Sequence, residues 1–127
     1  MLDHIGLTVV DFTKMRAFYL QALAPLGVKP LMDNDNEHGK FVGFGRERPQ
    51  LWLGAGAKAT EPRLHIAVTA TSRADVRAFY DAAIKAGGKD NGGPGIREFY
   101  HPNYYGAFVL DPEGHNLEAV IHTPESP

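Results

Sequence analysis

The chain has 127 residues, 43% hydrophobic and 22% charged, with a net charge of -2, the make-up of one folded domain rather than a disordered chain. No basic run follows a phosphate backbone and no apolar stretch reaches the roughly 18 residues that span a bilayer, so neither nucleic acid nor membrane is an expected partner. Asp3 and His4 stand where a signal peptide would need Lys or Arg and then an apolar run, and there is no Cys; a cytoplasmic location is the expectation, and any metal must be held by His and carboxylate.

Residues 3–9 alternate Ile5, Leu7 and Val9 against His4, Gly6 and Thr8, which predicts a strand. Asp11 is the expected cap of a helix over Phe12–Leu23, whose Met15, Phe18, Tyr19, Ala22 and Leu26 recur at helical spacing and which Pro25 and Gly27 end. Strands are expected near 28–33, 39–45 and 50–54, parted by an Asp33–Asn36 turn and an Arg46–Pro49 turn, before a Gly- and Ala-rich link from Ala55 to Pro62. The scheme then repeats: a strand over 64–70, a helix capped by Ser72 with Asp75 and stopped by Gly87-Gly88, and strands near 96–100, 104–110 and 116–122. Gly92 to Gly95 is expected as a flexible loop able to act as a lid. It lacks the Lys and Ser/Thr of a phosphate-binding loop.

The two halves match in sequence as well as in pattern. A shift of 61 residues lays His4 on His65 and Arg16-Ala17-Phe18-Tyr19 on an identical Arg77-Ala78-Phe79-Tyr80. A shift of 66 lays Leu51 on Leu117 and Trp52 on Glu118. An internal duplication is the simplest source of such a match. The class is α+β, as two tandem βαβββ modules in one domain spanning 1–127: module one about 1–57, module two about 62–123, and a tail at 124–127.

Alternation puts the large aliphatics of each first and last strand on one face. It leaves His4, Gly6, Thr8, Trp52, His65, Ala67, Thr69 and Glu118 on the other, a small and polar face suited to a cavity. Two His and one Glu at repeat-related strand positions suit a divalent ion (Zn, Fe, Mn, Ni or Co) with coordination positions left open. Read singly, the same three are hydrogen-bonded strand histidines and a surface carboxylate. Trp52 is a flat wall for a planar ligand or simple cavity filling. Arg97, His101, Tyr104 and Tyr105 are candidates to grip an anionic or polar substrate, or members of a solvated hairpin. His115 reads as a turn residue bonded locally, Ser72 as a cap and not a nucleophile, and His38 and His122 carry no assigned role.

The openings Asp3-His4-Ile5-Gly6-Leu7-Thr8-Val9 and Leu64-His65-Ile66-Ala67-Val68, with the ending Asp111-Pro112-Glu113-Gly114-His115-Asn116-Leu117-Glu118, resemble the vicinal oxygen chelate superfamily. That group includes glyoxalase I, extradiol dioxygenases, fosfomycin resistance transferases, methylmalonyl-CoA epimerase and bleomycin resistance proteins. The resemblance implies modules curled into half-barrel sheets, a metal held by His4, His65 and Glu118, a substrate that chelates it through neighbouring oxygens, and a homodimer in which ligands can come from two chains. One departure stands out. Where glyoxalase-like members carry Glu or Gln, this chain has Trp52, which is neither a ligand nor a base. This weakens an isomerase and leaves lyase, transferase or ring-cleaving chemistry on a small substrate. Beside it stands a metal-free, drug-sequestering protein of the bleomycin-resistance type, with Trp52, Tyr104 and Tyr105 as an aromatic groove.

Overall fold

The structure is a computed structural model that describes residues 1–125; Ser126 and Pro127, the end of the expected tail, lie outside the described residues. The first half runs β1 (Ile5–Val9), α1 (Phe12–Leu23), a 3-10 turn (Ala24–Leu26), β2 (Lys29–Asn36), β3 (Gly39–Gly45) and β4 (Leu51–Ala55). The second runs β5 (His65–Thr69), α2 (Arg73–Lys85), β6 (Lys89–Asp90), β7 (Gly95–Ile96), β8 (Tyr105–Leu110) and β9 (Asn116–Ile121). Each half is a βαβββ module with its own sheet, in the orders β1-β4-β3-β2 and β5-β9-β8-β6, and β7 also pairs with β8. The registers correspond: Gly6 pairs with Trp52 as Ala67 pairs with Glu118.

The helices start and stop for local reasons. The Asp11 carboxylate accepts the Lys14 N–H at 3.2 Å, and the Ser72 hydroxyl accepts that of Asp75 at 3.0 Å, satisfying donors that the first turn leaves free. Gly27 adopts φ 75°, a left-handed conformation that ends the 3-10 turn. Met15, Phe18, Tyr19, Ala22, Val76, Phe79 and Ala83 form the buried helix stripes. The two helices pack on each other and on their own sheets, so one core lies on the helix side of both sheets.

Three local expectations are corrected. The Asp33–Asn36 run is not the turn: β2 continues through it to Asn36, and the chain reverses at Glu37–His38. Side chains supply the support, because Asn34 Nδ2 donates to Gly39 O at 2.7 Å and the His38 N–H donates to Asn36 Oδ1 at 2.8 Å. The strand expected at 96–100 shrinks to Gly95–Ile96, with a loop beyond it. Gly92 to Gly95 is not a free lid, since Gly92 O accepts the Phe108 N–H at 2.7 Å and Gly95 pairs with Gly106 along the edge of β8.

Polar ties join the modules. Tyr19 donates to buried Asp111 at 2.6 Å, Glu113 accepts the N–H groups of Val10 and Asp11, and Arg46 reaches from Leu26 O to Thr69. His115 is buried and does more than bond within its turn: its Nδ1 accepts the Leu64 N–H at 3.0 Å, which steadies the start of β5. No helix of the described residues is long and apolar enough to cross a membrane.

Candidate functional site

The sheet faces turned away from the helices carry the polar set that the alternation predicts. Gly6, Thr8, His65, Ala67 and Thr69 are exposed there, yet Glu118 is wholly buried. A carboxylate taken out of water is tolerated only when donors replace the lost hydration, and two do so. His65 Nε2 lies 2.6 Å from Glu118 Oε1, and the Tyr104 hydroxyl donates to Oε2. Gly106 makes room, because a Cβ there would stand 3.3 Å from both Glu118 Oε2 and the Tyr104 ring. Burial, with the Glu118 carboxylate beside it, raises the Tyr104 phenol above its usual range and keeps it a proton donor at neutral pH.

Around this pair, the Phe108 ring packs 6.1 Å from the His65 ring, and the Arg97 guanidinium lies 5.2 Å over the other side of the site on Phe108. Arg97 uses one nitrogen on Gly93 O at 2.7 Å, so its charge is held beside the pair without a carboxylate partner among the described residues. Tyr105, expected next to Tyr104 in a substrate site, faces the other way. It lies in the core under α2, with Arg73 5.0 Å over its ring and Arg77 donating to its hydroxyl at 3.3 Å. Strand alternation separates these two neighbours.

His4 stands apart from the pair. Its Nδ1 donates to Asp3 at 2.7 Å, which leaves Nε2 with a free lone pair, and the hydrogen bond from His4, then the charge of Arg48, lower the Asp3 carboxyl. His4 and His65 both line a cleft of about 360 Å³ between the modules, but Glu118 does not. Among the described residues no three His, Asp or Glu side chains converge as a metal site. The chain thus brings together two of its three sequence-predicted ligands. The donor chemistry of that pair fits a divalent ion, since an imidazole nitrogen and one carboxylate oxygen face each other with a proton between them and Tyr104 occupies the second oxygen.

On the matching place in module one, Trp52 lies across Gly43, whose added Cβ would meet the indole at 2.9 Å and Pro49 at 2.8 Å. Gly43→Ala is therefore expected to cost about 1–3 kcal/mol by overpacking and to shift the emission of this lone Trp, both read in a urea titration. Sequence reasoning missed Gly106 and Phe108. Their signal was available in the β8 alternation, which puts both on the Glu118 face.

Two βαβββ modules whose open sheet faces carry a buried Glu paired with His define a recognisable class of fold and site. The family model described as the Glyoxalase/Bleomycin resistance protein/Dioxygenase superfamily matches residues 1–119, and the chain belongs to that family. Among solved structures it is similar to a glyoxalase/bleomycin resistance protein from Albidiferax ferrireducens T118, at 26% identity and TM-score 0.73, covering 94% of this chain and 98% of that one. A glyoxalase/bleomycin resistance protein/dioxygenase family enzyme from Burkholderia phytofirmans PsJN shares the fold at 19% identity and TM-score 0.70, covering 94% and 97%. An E144Q glyoxalase I mutant from Zea mays does so at 18% identity and TM-score 0.72; it covers 99% of this chain, which spans 46% of that longer chain. No curated protein matches.

Proposed function

We propose that the protein is a divalent-metal-dependent enzyme, a cytoplasmic homodimer acting on a small substrate with vicinal oxygens. His65 and Glu118 of one chain and His4 of a second copy would hold the ion. The observation that carries this proposal is the wholly buried Glu118, whose Oε1 faces the half-exposed His65 while Tyr104 secures Oε2. A folded chain gains little stability from such an arrangement, so a ligand role accounts for it better. The Asp3 bond supports the same role for His4, because a carboxylate on Nδ1 turns the lone pair of Nε2 outward. The matching strand registers also support descent of the modules from one duplicated unit.

When bound, a divalent ion supplies Lewis-acid polarisation of two adjacent oxygens. The protein's own groups do the rest. Arg97 offers a fixed positive charge to an anionic substrate end, Tyr104 keeps Glu118 to one free oxygen, and Phe108 and Trp52 give flat apolar walls. With Trp52 in place of a carboxylate, lyase, transferase or ring-cleaving oxygenase chemistry is favoured over base-driven isomerisation.

Metal content of untagged protein is the test. About one tightly held ion per chain is expected, lost in His65→Ala and bound about 10–100-fold more weakly in Asp3→Ala, which removes the support behind His4. Protein that holds no ion after soaking with Zn, Fe, Mn, Ni or Co overturns the proposal in favour of metal-free small-molecule binding.

A further inference from the structure

Two histidines outside the proposed ligand set meet at one end of the site. His101 sits in the loop between β7 and β8, and His122 follows β9; His101 Nε2 and His122 Nδ1 are 2.6 Å apart. Both rings stand edge-on to Tyr104, at 71° and 5.5 Å for His101 and 87° and 5.0 Å for His122. The loop is closed at its base by Arg97 N–H to Tyr104 O at 2.8 Å. From Glu98 to Tyr104, the side-chain hydrogen bonds that tie it to the rest of the described chain are those of His101 to His122 and Tyr104 to Glu118.

The hydrogen-bond partners assign every proton of the pair. The Asn103 N–H donates to His101 Nδ1 at 3.0 Å, so a neutral His101 carries its proton on Nε2 and donates it to His122 Nδ1. His122 then carries its own proton on Nε2. Both ring lone pairs are used, and none remains for a metal or for another proton. An added proton must displace either the Asn103 N–H from His101 or the His101 N–H from His122.

We propose that His101 and His122 are positioning residues, a proton-sensitive clasp that holds Tyr104 and its loop against Glu118 while both imidazoles are neutral and releases them on protonation. The titratable and charged groups around the clasp are Tyr104 and Tyr100, whose rings lie 4.7 Å apart, Arg97 at the loop base, and Glu118 behind the Tyr104 hydroxyl. The ion pairs that histidines make in the described chain involve His4, His38 and His65, not this pair. Release would bare the second oxygen of Glu118 and swing the exposed Phe99 and Tyr100 with the loop, so acidification would loosen the substrate side of the site. The clasp rests on the proposed function only for what it serves.

The test is an NMR titration of the full chain from pH 8 to pH 5, the span in which imidazoles titrate. The Asn103 and Tyr104 amides, the Tyr104 ring and both imidazoles are expected to move together, with loop amide exchange, corrected for its intrinsic pH dependence, rising about fivefold, the worth of one net hydrogen bond. The double variant His101→Gln/His122→Asn keeps an amide-to-amide bond but cannot titrate, and its loop signals should stay at their pH 8 positions. Loop signals that stay still in the natural protein while both imidazoles titrate overturn the clasp, and so does a double variant that responds as the natural protein does. Cobalt(II) binding at pH 8 is measured separately: no binding beside a responsive loop removes the metal proposal alone, and binding beside a silent loop removes the clasp alone.

Discussion

Chains carrying His4→Ala, mixed with chains carrying His65→Ala and allowed to exchange subunits, are expected to regain metal that neither variant holds by itself. In the mixed dimer, one site receives His65 and Glu118 from the first variant and His4 from the second, while the other site loses both histidines. Half the natural ion content of that dimer should return, with none in either parent. The reason is geometric: one chain pairs His65 with Glu118 at 2.6 Å, but among its described residues no third His, Asp or Glu joins them. Inductively coupled plasma analysis of the separated heterodimer reads the result. If the mixture stays empty while the natural protein is loaded, the three ligands come from one chain and the two-copy arrangement is wrong.

Asp111→Ala is expected to cost about 3–5 kcal/mol, a large share of the roughly 5–15 kcal/mol that holds a domain folded. Asp111 is buried in the turn between β8 and β9, where one oxygen accepts the N–H groups of Glu113 and His115 and the other accepts the Tyr19 hydroxyl at 2.6 Å. Burial first, and then Asp111, raise the Tyr19 phenol well above its ordinary value, so at neutral pH it is always the donor. Alanine would strand that hydroxyl in the core and undo the link between the modules. Asn, which keeps an acceptor, should cost about half as much, and Tyr19→Phe about 1.5–3 kcal/mol by loss of one bond to a charged group. Urea unfolding followed by circular dichroism orders the three. An Asp111→Ala protein as stable as Tyr19→Phe would mean that the turn is held by other contacts.

How far the sequence could be read depended on the kind of signal. Helix α1 lies over Phe12–Leu23 as the apolar spacing and the Asp11 cap required, and β3 lies over Gly39–Gly45. Those signals are local and repeat along the chain. The Asp33–Asn36 run misled because Asn and Asp favour turns by bonding their own backbone, whereas here Asn34 and Asn36 bond each other across one strand face. At the site, alternation placed His65 and Glu118 on one face and the structure put them in contact. It also placed His4 there, but sharing a face does not set a distance.

The sequence by itself determined the α+β class, the two βαβββ modules, the helix limits and the polar face of each first and last strand, because side-chain period and capping act within a few residues of one another. Only the tertiary structure decided that Tyr104 locks Glu118 while Tyr105 goes to the core, that Trp52 lies across Gly43, and that His101 meets His122. Each of those outcomes is a choice of partner between groups far apart in the chain. Such a choice follows from which polar atoms packing brings within about 3 Å, a length no spacing along the backbone encodes.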